Sequence, residues 1–252
     1  EGVTNLKVGD AVAAMGSTGG FATHALAPAK QVLKLPPGFA LEDAAAFALT
    51  YGTTHHALVD RAALKAGETV LVLGAAGGVG SSAIQVAKAV GAKVIAAAST
   101  DEKCAFCREL GADATINYAT QNVRDALKAL TDSKGPDVVY DPVGGDLAEP
   151  VFRSIAWRGR YLDTRFAQGG IPSLPLNLPL LKGASIVGVF WGDFTRREPE
   201  ANARGMAELA QWYATGKIKP AIDLRLPMRE LPAAFARMAT RKVQGKVVMV
   251  NG

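Results

Sequence analysis

Residues 69–80 read TVLVLGAAGGVG, a run of Val and Leu that ends in a cluster of glycines. The next segment, Ser81 to Gly91, repeats apolar residues at helical spacing, so the pattern predicts a strand, a tight loop and a helix. A second apolar run, Lys93 to Ala98, completes a βαβ unit. Such a loop presents backbone N–H groups and a helix N-terminus, which favour an anion such as a pyrophosphate. The pattern therefore indicates a dinucleotide-binding fold.

The glycine spacing itself leaves two alternatives. Read as G-x-G-x-x-G ending at Gly80, the first position holds Ala75; read more widely, the glycines are Gly74, Gly77 and Gly80. A glycine-rich turn also joins strand to helix in α/β proteins that bind no nucleotide. The complete βαβ unit favours the dinucleotide over that simpler interpretation.

Composition limits the class of protein. The chain has 252 residues, 49% hydrophobic and 20% charged, which suits one large or two medium domains. The net charge of +5 is scattered, with no basic run longer than two, so we expect no nucleic-acid partner. Residues 69–87 are uncharged, but Ser81, Ser82, Gln85 and several glycines argue against a membrane span. No targeting segment is visible, so we expect a cytoplasmic protein, and Glu1 in place of an initiator Met suggests a fragment.

Cysteines and histidines do not form a recognisable metal motif. Cys104 and Cys107 lack the second pair that a zinc ribbon needs, and their spacing places both on one half-buried helix face. His55 and His56 are adjacent on a predicted helix, so they should point in different directions, with no third ligand nearby. We therefore expect no metal.

Strands and helices alternate from Glu68 onward, which predicts a doubly wound parallel sheet with helices on both faces. The predicted strands of this sheet are Val70–Leu73, Lys93–Ala97, Ala114–Tyr118, Asp137–Tyr140, Arg160–Thr164 and Ser185–Phe190. Outside the sheet, strands are expected within Val8–Ala13, Ala22–Pro28 and Lys246–Val250, helices at Leu41–Leu49, Thr53–Ala63, Glu200–Thr215 and Leu231–Thr240, and a loop at Ile171–Leu180 because of its three prolines.

The end of the second strand indicates which dinucleotide binds. Folds that prefer NAD place a carboxylate there to accept the ribose hydroxyls, whereas this chain has Ser99, with Lys103 four residues later. A hydroxyl and a cation suit a 2′-phosphate, which a carboxylate would repel. Asp101 is the exception, and its alternative role is the N-cap of the following helix. The pattern favours NADPH over NADH.

Several short motifs, taken together, resemble one family: the zinc-independent quinone oxidoreductase branch of the medium-chain dehydrogenase/reductase superfamily. The resemblance runs over nearly the whole chain. The motifs that carry it are Lys7–Val12, Tyr51-Gly52-Thr53, Gly74–Gly80, Leu110–Asp113 with Ile116–Tyr118, Val139–Gly145, Asn177–Gly183 and Gln244–Val248.

The resemblance implies roles for particular residues. The backbone from Ala76 through Gly77, Gly78 and Val79 would hold the pyrophosphate. The residues expected around the 2′-phosphate are Ser99, Lys103, Tyr118 and Arg241, and those expected near the nicotinamide are Thr53, Val143 and Phe166. Simpler alternatives are a helix N-cap for Thr53, a strand-end aromatic for Tyr118 and a solvated cation for Arg241. No residue is assigned as a general acid or base, and the branch works without metal.

The resemblance also implies an activity and an organisation. We expect hydride transfer from NADPH to a quinone, with a reductase of activated alkenes (enone, alkenal or enoyl thioester) as the alternative; a non-enzymatic NADPH- or RNA-binding protein is the alternative of another class. Residues 46–216 would form the Rossmann domain, and residues 1–45 with 217–252 a partial GroES-like β domain that lacks part of its amino-terminal strands. A homodimer would extend the sheet through Ser185–Phe190.

One predicted strand departs from the family's pattern. Where the family has an apolar run ending in glycine, this chain reads Tyr161-Leu162-Asp163-Thr164-Arg165. Burying two charges in a strand lowers the free energy of unfolding by on the order of several kcal/mol unless the charges are paired. We expect Asp163 and Arg165, which share one strand face, to pair with each other or to reach the cofactor.

Overall fold

A computed structural model describes residues 2–16 and 18–251. Its ten strands, numbered along the chain, are β1 Val12–Ala14, β2 Val32–Lys34, β3 Thr69–Val72, β4 Lys93–Ala98, β5 Ala114–Asn117, β6 Val138–Asp141, β7 Arg160–Asp163, β8 Ser185–Gly188, β9 Ile222–Pro227 and β10 Lys246–Val250. Six of them form a parallel sheet in the order β5-β4-β3-β6-β7-β8. This confirms the predicted α/β class and the sheet.

Helices connect these strands. The α-helices are α1 Leu41–His55, α2 Gly78–Val90, α3 Asp101–Glu109, α4 Val123–Leu130, α5 Ala148–Arg153, α6 Asn177–Lys182, α7 Trp191–Arg197, α8 Pro199–Ala214 and α9 Leu231–Ala239. A π-helical segment, His56–Arg61, continues α1 directly, so the two helices expected over residues 41–63 are one. In the described part of the chain, no helix is long and apolar enough to cross a membrane.

Side chains of the sheet alternate between two cores, as period-two geometry requires. Val70 and Val72 of β3 pack into one buried cluster together with α2, while Leu71 and Leu73 pack into a second cluster on the opposite face. Both faces are covered by helices, which explains why the central strands read as continuous apolar runs. The chain reverses its strand order between β3 and β6, and ligands of such sheets bind at the carboxyl ends beside that reversal.

Two small pairs of strands lie outside the main sheet. β1 and β2 pair antiparallel, and β9 and β10 pair parallel around α9. The expected strand over residues 22–28 is wrong: that segment is irregular, and the strand that pairs with β1 begins at Val32. The expected loop over residues 171–180 is also partly wrong because α6 begins at Asn177, with Pro179 in its first turn, where a missing N–H costs nothing.

Candidate dinucleotide site

The glycine loop joins β3 to α2 in one tight turn. The Gly77 amide donates to the Gly74 carbonyl at 3.0 Å, and the Ser81 amide then donates to the Gly77 carbonyl at 2.8 Å, which starts α2. The amides of Gly78 and Val79 belong to the first turn, where no helical carbonyl is available to accept them. They stand at the positive end of the helix dipole, so this turn is suited to an anion.

Packing decides between the two glycine spacings. A Cβ on Gly80 would lie 2.4 Å from the Gly74 carbonyl oxygen and 2.6 Å from the Ala75 Cα, and a Cβ on Gly74, whose φ is +55°, would lie 2.8 Å from the Val143 side chain. Ala75 is fully buried, and its amide donates to the Ala97 carbonyl at 3.0 Å. Both spacings share Gly77 and Gly80, and they differ in the first residue: the close approach falls on Gly74, whereas Ala75 belongs to the core.

A segment from the C-terminus crosses the loop. The Gly245 amide donates to the Ala76 carbonyl at 2.8 Å, and Gly77 and Gly245 form an isolated parallel bridge. The next residue, Lys246, packs its stem against the loop, since a Cβ on Gly78 would lie 2.7 Å from its Cδ. Burial lowers the pKa of Lys246, and the charge of Arg165 lowers it further. No role is predicted for Lys246 from the sequence, although Lys246 belongs to the Gln244–Val248 motif that carries the family resemblance.

The residues predicted for a 2′-phosphate come together at the carboxyl ends of β4 and β5. The Lys103 ammonium donates to the Ser99 hydroxyl at 3.4 Å and to the Arg241 carbonyl at 2.7 Å. Tyr118 lies in the same cluster: burial raises its pKa, while a hydrogen bond with Ser99 and the charge of Arg241 oppose that shift. Three segments distant in sequence thus place two cations and two hydroxyls in one cluster.

Asp101, the one carboxylate near Ser99 that does not fit the preference for NADPH, already has a hydrogen-bond partner. Its carboxylate accepts from the Asn117 side-chain amide at 2.7 Å. The N-cap of α3 is instead Thr100, whose hydroxyl accepts from the Lys103 amide at 3.2 Å. The alternative role of Asp101 as N-cap is therefore wrong.

Val143 and Phe166 lie in the segments that follow β6 and β7. Buried Asp141 accepts from the Val143 amide at 2.7 Å, from the Gly144 amide at 2.9 Å and from the Tyr161 hydroxyl, and these bonds fix the turn after β6. A Cβ on Gly144 would lie 2.9 Å from the Phe166 ring. Val143 also borders Gly74, so this turn connects the glycine loop to the Phe166 side of the cleft.

Thr53 lies inside α1, so the N-cap alternative for it is wrong. Its neighbour Thr54 is buried against α2, with its hydroxyl 2.8 Å from the Ser82 hydroxyl and 3.2 Å from that of Tyr140. Burial raises the pKa of Tyr140 to about 12. These contacts fix α1, and Thr53 with it, against the start of α2.

Asp163 and Arg165 do not pair with each other, so the first of the two alternatives given for them is wrong, while contact with the cofactor stays a prediction. Within residues 2–16 and 18–251, no ion pair joins the two side chains. Asp163 is the half-buried last residue of β7, and burial, followed by the charge of Asp141, raises its pKa. Arg165 lies beyond the strand and is exposed. The two charges are therefore not both buried in a strand.

The cysteines and histidines lie outside this cleft. Cys104 and Cys107 are both buried on α3, and burial raises the pKa of Cys107 to about 12, so its thiol stays protonated at neutral pH. His55 and His56 both border a cavity of about 240 Å³ beside α8, but their rings have different partners, since His56 stacks on Phe194. His55 lies 2.8 Å from the Glu208 carboxylate. Among the described residues, no three His, Cys, Asp or Glu side chains form a group that could hold a metal ion.

The fold and this cleft define a Rossmann-type α/β protein, and comparison with known proteins specifies its family. A family model described as zinc-binding dehydrogenase matches residues 78–209. The quinone oxidoreductase-like protein 2 homolog of Nematostella vectensis is 38% identical over 250 residues, which are 98% of this chain and 68% of that protein. This chain therefore belongs to the quinone oxidoreductase branch of the medium-chain dehydrogenase/reductase superfamily.

Two solved structures are similar over nearly the whole chain. The Escherichia coli quinone oxidoreductase complexed with NADPH is 27% identical, with a TM-score of 0.88 over 99% of this chain and 77% of that one. The CurK enoyl reductase is 26% identical, with a TM-score of 0.84 over 99% of this chain and 74% of that one. The same fold thus occurs in proteins named for two different acceptors.

The packing of Gly80 yields a test. We expect Gly80→Ala to lower the free energy of unfolding by about 2–3 kcal/mol, because the new methyl group meets backbone atoms that cannot move aside. Urea unfolding measures the change. Gly20→Ala is the matched control, since a Cβ there meets nothing within 4 Å. Equal stability of the two variants would show that the loop is not packed as described.

Proposed function

We propose that this protein binds NADPH and transfers a hydride from it to a quinone, without a metal ion. The observation that carries the proposal is the cluster of Lys103, Ser99, Tyr118 and Arg241 beside the glycine loop. Two cations and two hydroxyls suit the dianionic 2′-phosphate that distinguishes NADPH from NADH. The NADPH bound to the related Escherichia coli enzyme supports the same choice.

The cleft fits the rest of a dinucleotide. The first-turn amides of α2, with Ala76 and Gly77 before them, would hold the pyrophosphate, and the absence of side chains on the glycines leaves the space it needs. Val143, Phe166 and Thr53 would flank the nicotinamide end. When bound, NADPH supplies the hydride. The protein's part is to orient donor and acceptor and to keep water out.

We assign no general acid or base, since the buried hydroxyls and carboxylates near the cleft are already engaged. The Tyr161 hydroxyl is bound to Asp141, and burial together with that carboxylate raises the pKa of Tyr161, so it stays protonated at neutral pH. A quinone accepts hydride without a positioned acid, because solvent can protonate the product. The geometry therefore suits a quinone acceptor without further groups.

A second candidate function is reduction of an activated alkene, such as an enone or an enoyl thioester. The likeness to an enoyl reductase supports it. Carbon is protonated more slowly than oxygen, so this reaction gains more from a positioned acid. A non-enzymatic role in binding NADPH or RNA has less support, because the positive charge is not gathered into a basic stripe.

The acceptor that the enzyme reduces fastest distinguishes the two candidate reactions. We expect anaerobic NADPH oxidation to be fastest with quinones in a panel that also contains enones and enoyl thioesters at matched concentrations. Faster turnover of the alkenes would favour the second candidate. NADPH binding without turnover of any acceptor would favour the non-enzymatic role, and no binding at all would contradict the proposal.

Lys103 tests the choice of cofactor. We expect Lys103→Ala to raise the dissociation constant for NADPH by about 10- to 100-fold, because a charge-assisted hydrogen bond is worth about 1.5–3 kcal/mol. Affinity for NADH should stay unchanged, since NADH lacks the 2′-phosphate. Fluorescence titration of both nucleotides measures this, with Lys128→Ala, exposed on α4, as control. Equal losses for the two nucleotides would refute the assignment.

We also propose a homodimer that acts in the cytoplasm. β8 is the edge strand of the sheet, with Ile186 44% and nearby Phe190 71% exposed, and such an edge can pair with its copy across a twofold axis. Unpaired Cys104 and Cys107 suit a reducing compartment. Light scattering at micromolar concentration should give twice the monomer mass, and a monomeric mass would contradict the dimer.

A further inference from the structure

The side chain of Asp141 holds the turn that follows β6. One of its carboxylate oxygens, Oδ1, accepts hydrogen bonds from the Val143 amide at 2.7 Å and from the Gly144 amide at 2.9 Å. The backbone turns sharply at this point, since Gly144 has a φ of +68°. Asp141 is buried, so little water competes for these bonds. The position of the turn therefore follows the position of one carboxylate.

The segment that carries Phe166 is attached to the same place. After Phe166, the Ala167 amide donates to the Pro142 carbonyl at 3.1 Å. Before it, the Thr164 hydroxyl donates to the Asp141 carbonyl at 2.9 Å. Phe166 is therefore held on both sides by the end of β6 and the turn after it.

Tyr161 holds the other oxygen of the Asp141 carboxylate. Its hydroxyl donates to Oδ2, and among the residues that the structure describes no second donor reaches that atom. Tyr161 is only 2% exposed, and its ring centroid lies 5.5 Å from that of Phe152 in the second buried cluster. The pairing of β6 with β7 places Tyr161 opposite Val139, so its ring extends toward the carboxyl end of the sheet to reach Asp141. The packed core thus fixes where the hydroxyl stands.

This hydroxyl is needed for the carboxylate to stay in place. Without it, Asp141 Oδ2 would be a buried carboxylate oxygen with no donor, which costs more free energy than the lost bond alone. The carboxylate would then turn or admit water to recover a donor. Its other oxygen would shift relative to the amides of Val143 and Gly144, and the turn would shift with it.

We propose that Tyr161 is a positioning residue for hydride transfer. Through the Asp141 carboxylate, its hydroxyl sets the position of Val143 and Phe166 against the nicotinamide end of the cofactor. A displacement of about 1 Å in such groups can slow a reaction by about 100-fold. The inference rests on the proposed function and extends it, because it gives a buried residue of the sheet a part in orienting the hydride donor.

The test removes one hydroxyl. Tyr161→Phe is compared with Tyr213→Phe, which removes a bond of the same kind, from Tyr213 to the Asp43 carboxylate at 2.7 Å. Asp43 is in the first turn of α1, about 15 Å along the helix from Thr53, so the control bond lies outside the cleft. Each protein is titrated with NADPH and with 2′-phospho-ADP-ribose, which keeps the phosphates and lacks the nicotinamide. Single-turnover oxidation of NADPH by 1,4-naphthoquinone gives the rate of hydride transfer, and thermal unfolding checks folding.

A positioning role affects the two ligands differently. We expect Tyr161→Phe to raise the dissociation constant for NADPH by about threefold or more and to slow hydride transfer by about tenfold, because the nicotinamide end is displaced. Its affinity for 2′-phospho-ADP-ribose should stay within about twofold of the parent value, and Tyr213→Phe should match the parent throughout. Values for Tyr161→Phe equal to those for Tyr213→Phe would overturn the inference. An equal loss of affinity for both ligands would also overturn it, since that result indicates general damage to the cleft.

A second background tests whether Tyr161 acts through Asp141. Asp141→Asn keeps an oxygen for the two turn amides and removes the charge, so the loss of the Tyr161 hydroxyl there leaves a neutral group unpaired. We expect Tyr161→Phe to slow hydride transfer by less than about threefold in this background, because an unpaired neutral group costs less than an unpaired charged one. The same loss in both backgrounds would show that Tyr161 acts by another route.

Gly144→Ala displaces the same turn without any change in the core. A Cβ on Gly144 would lie 2.9 Å from the Phe166 ring, and the φ of +68° disfavours a side chain. If Tyr161→Phe does not fold, this variant should still slow hydride transfer and spare 2′-phospho-ADP-ribose. Unchanged hydride transfer in Gly144→Ala would show that the turn does not position the cofactor.

Failure of the proposed function gives a different result. A parent protein that binds NADPH but transfers no hydride is not a reductase, and the affinities of Tyr161→Phe for the two ligands still test the positioning role. A parent protein that binds neither ligand overturns the cofactor assignment and the inference with it. Normal turnover in the parent and in Tyr161→Phe alike overturns the inference alone.

Discussion

One backbone contact determines the shape of the cleft: the start of α2 lies against the end of β3 so closely that only a hydrogen atom fits on Gly80. Because of this contact the helix begins directly above the central strands, with its first-turn amides at the carboxyl edge of the sheet. The Gly245 segment closes over the other side of the loop through its bond to Ala76. The rest of the cleft is arranged around a helix end that cannot shift.

Charge around that helix end is distributed in two places. Lys103 and Arg241 lie beyond β4 and β5, and Lys246 packs beside Gly78 at the start of α2. Two acids of this region are engaged elsewhere, since Asp101 is bound to Asn117 and Asp141 to the turn after β6. Cations therefore stand at two points along the cleft, which suits a ligand with phosphates at more than one position.

The sequence predicted well where the signal is local. Apolar runs and the glycines after them identify the six strands of the sheet, and the hydroxyl and cation after β4 lie at a fixed distance from the loop in sequence. Contacts between distant segments could not be predicted from the sequence. The pattern of residues 240–250 does not indicate that Gly245 pairs with Gly77 or that Lys246 lies beside Gly78, because those contacts depend on how the last strand returns to the loop.

The end of β7 shows why alternation alone misplaced Arg165. Residues two apart in a strand share a face, so Asp163 and Arg165 would have pointed together if the strand had continued. β7 ends at Asp163, and the bonds of Thr164 to the Asp141 carbonyl turn the chain before the next position is reached. Asp163 is left half-buried near Asp141, and burial together with that charge raises its pKa, whereas Arg165 is exposed to solvent. Neither charge is fully buried, so neither bears the full penalty of a buried ion.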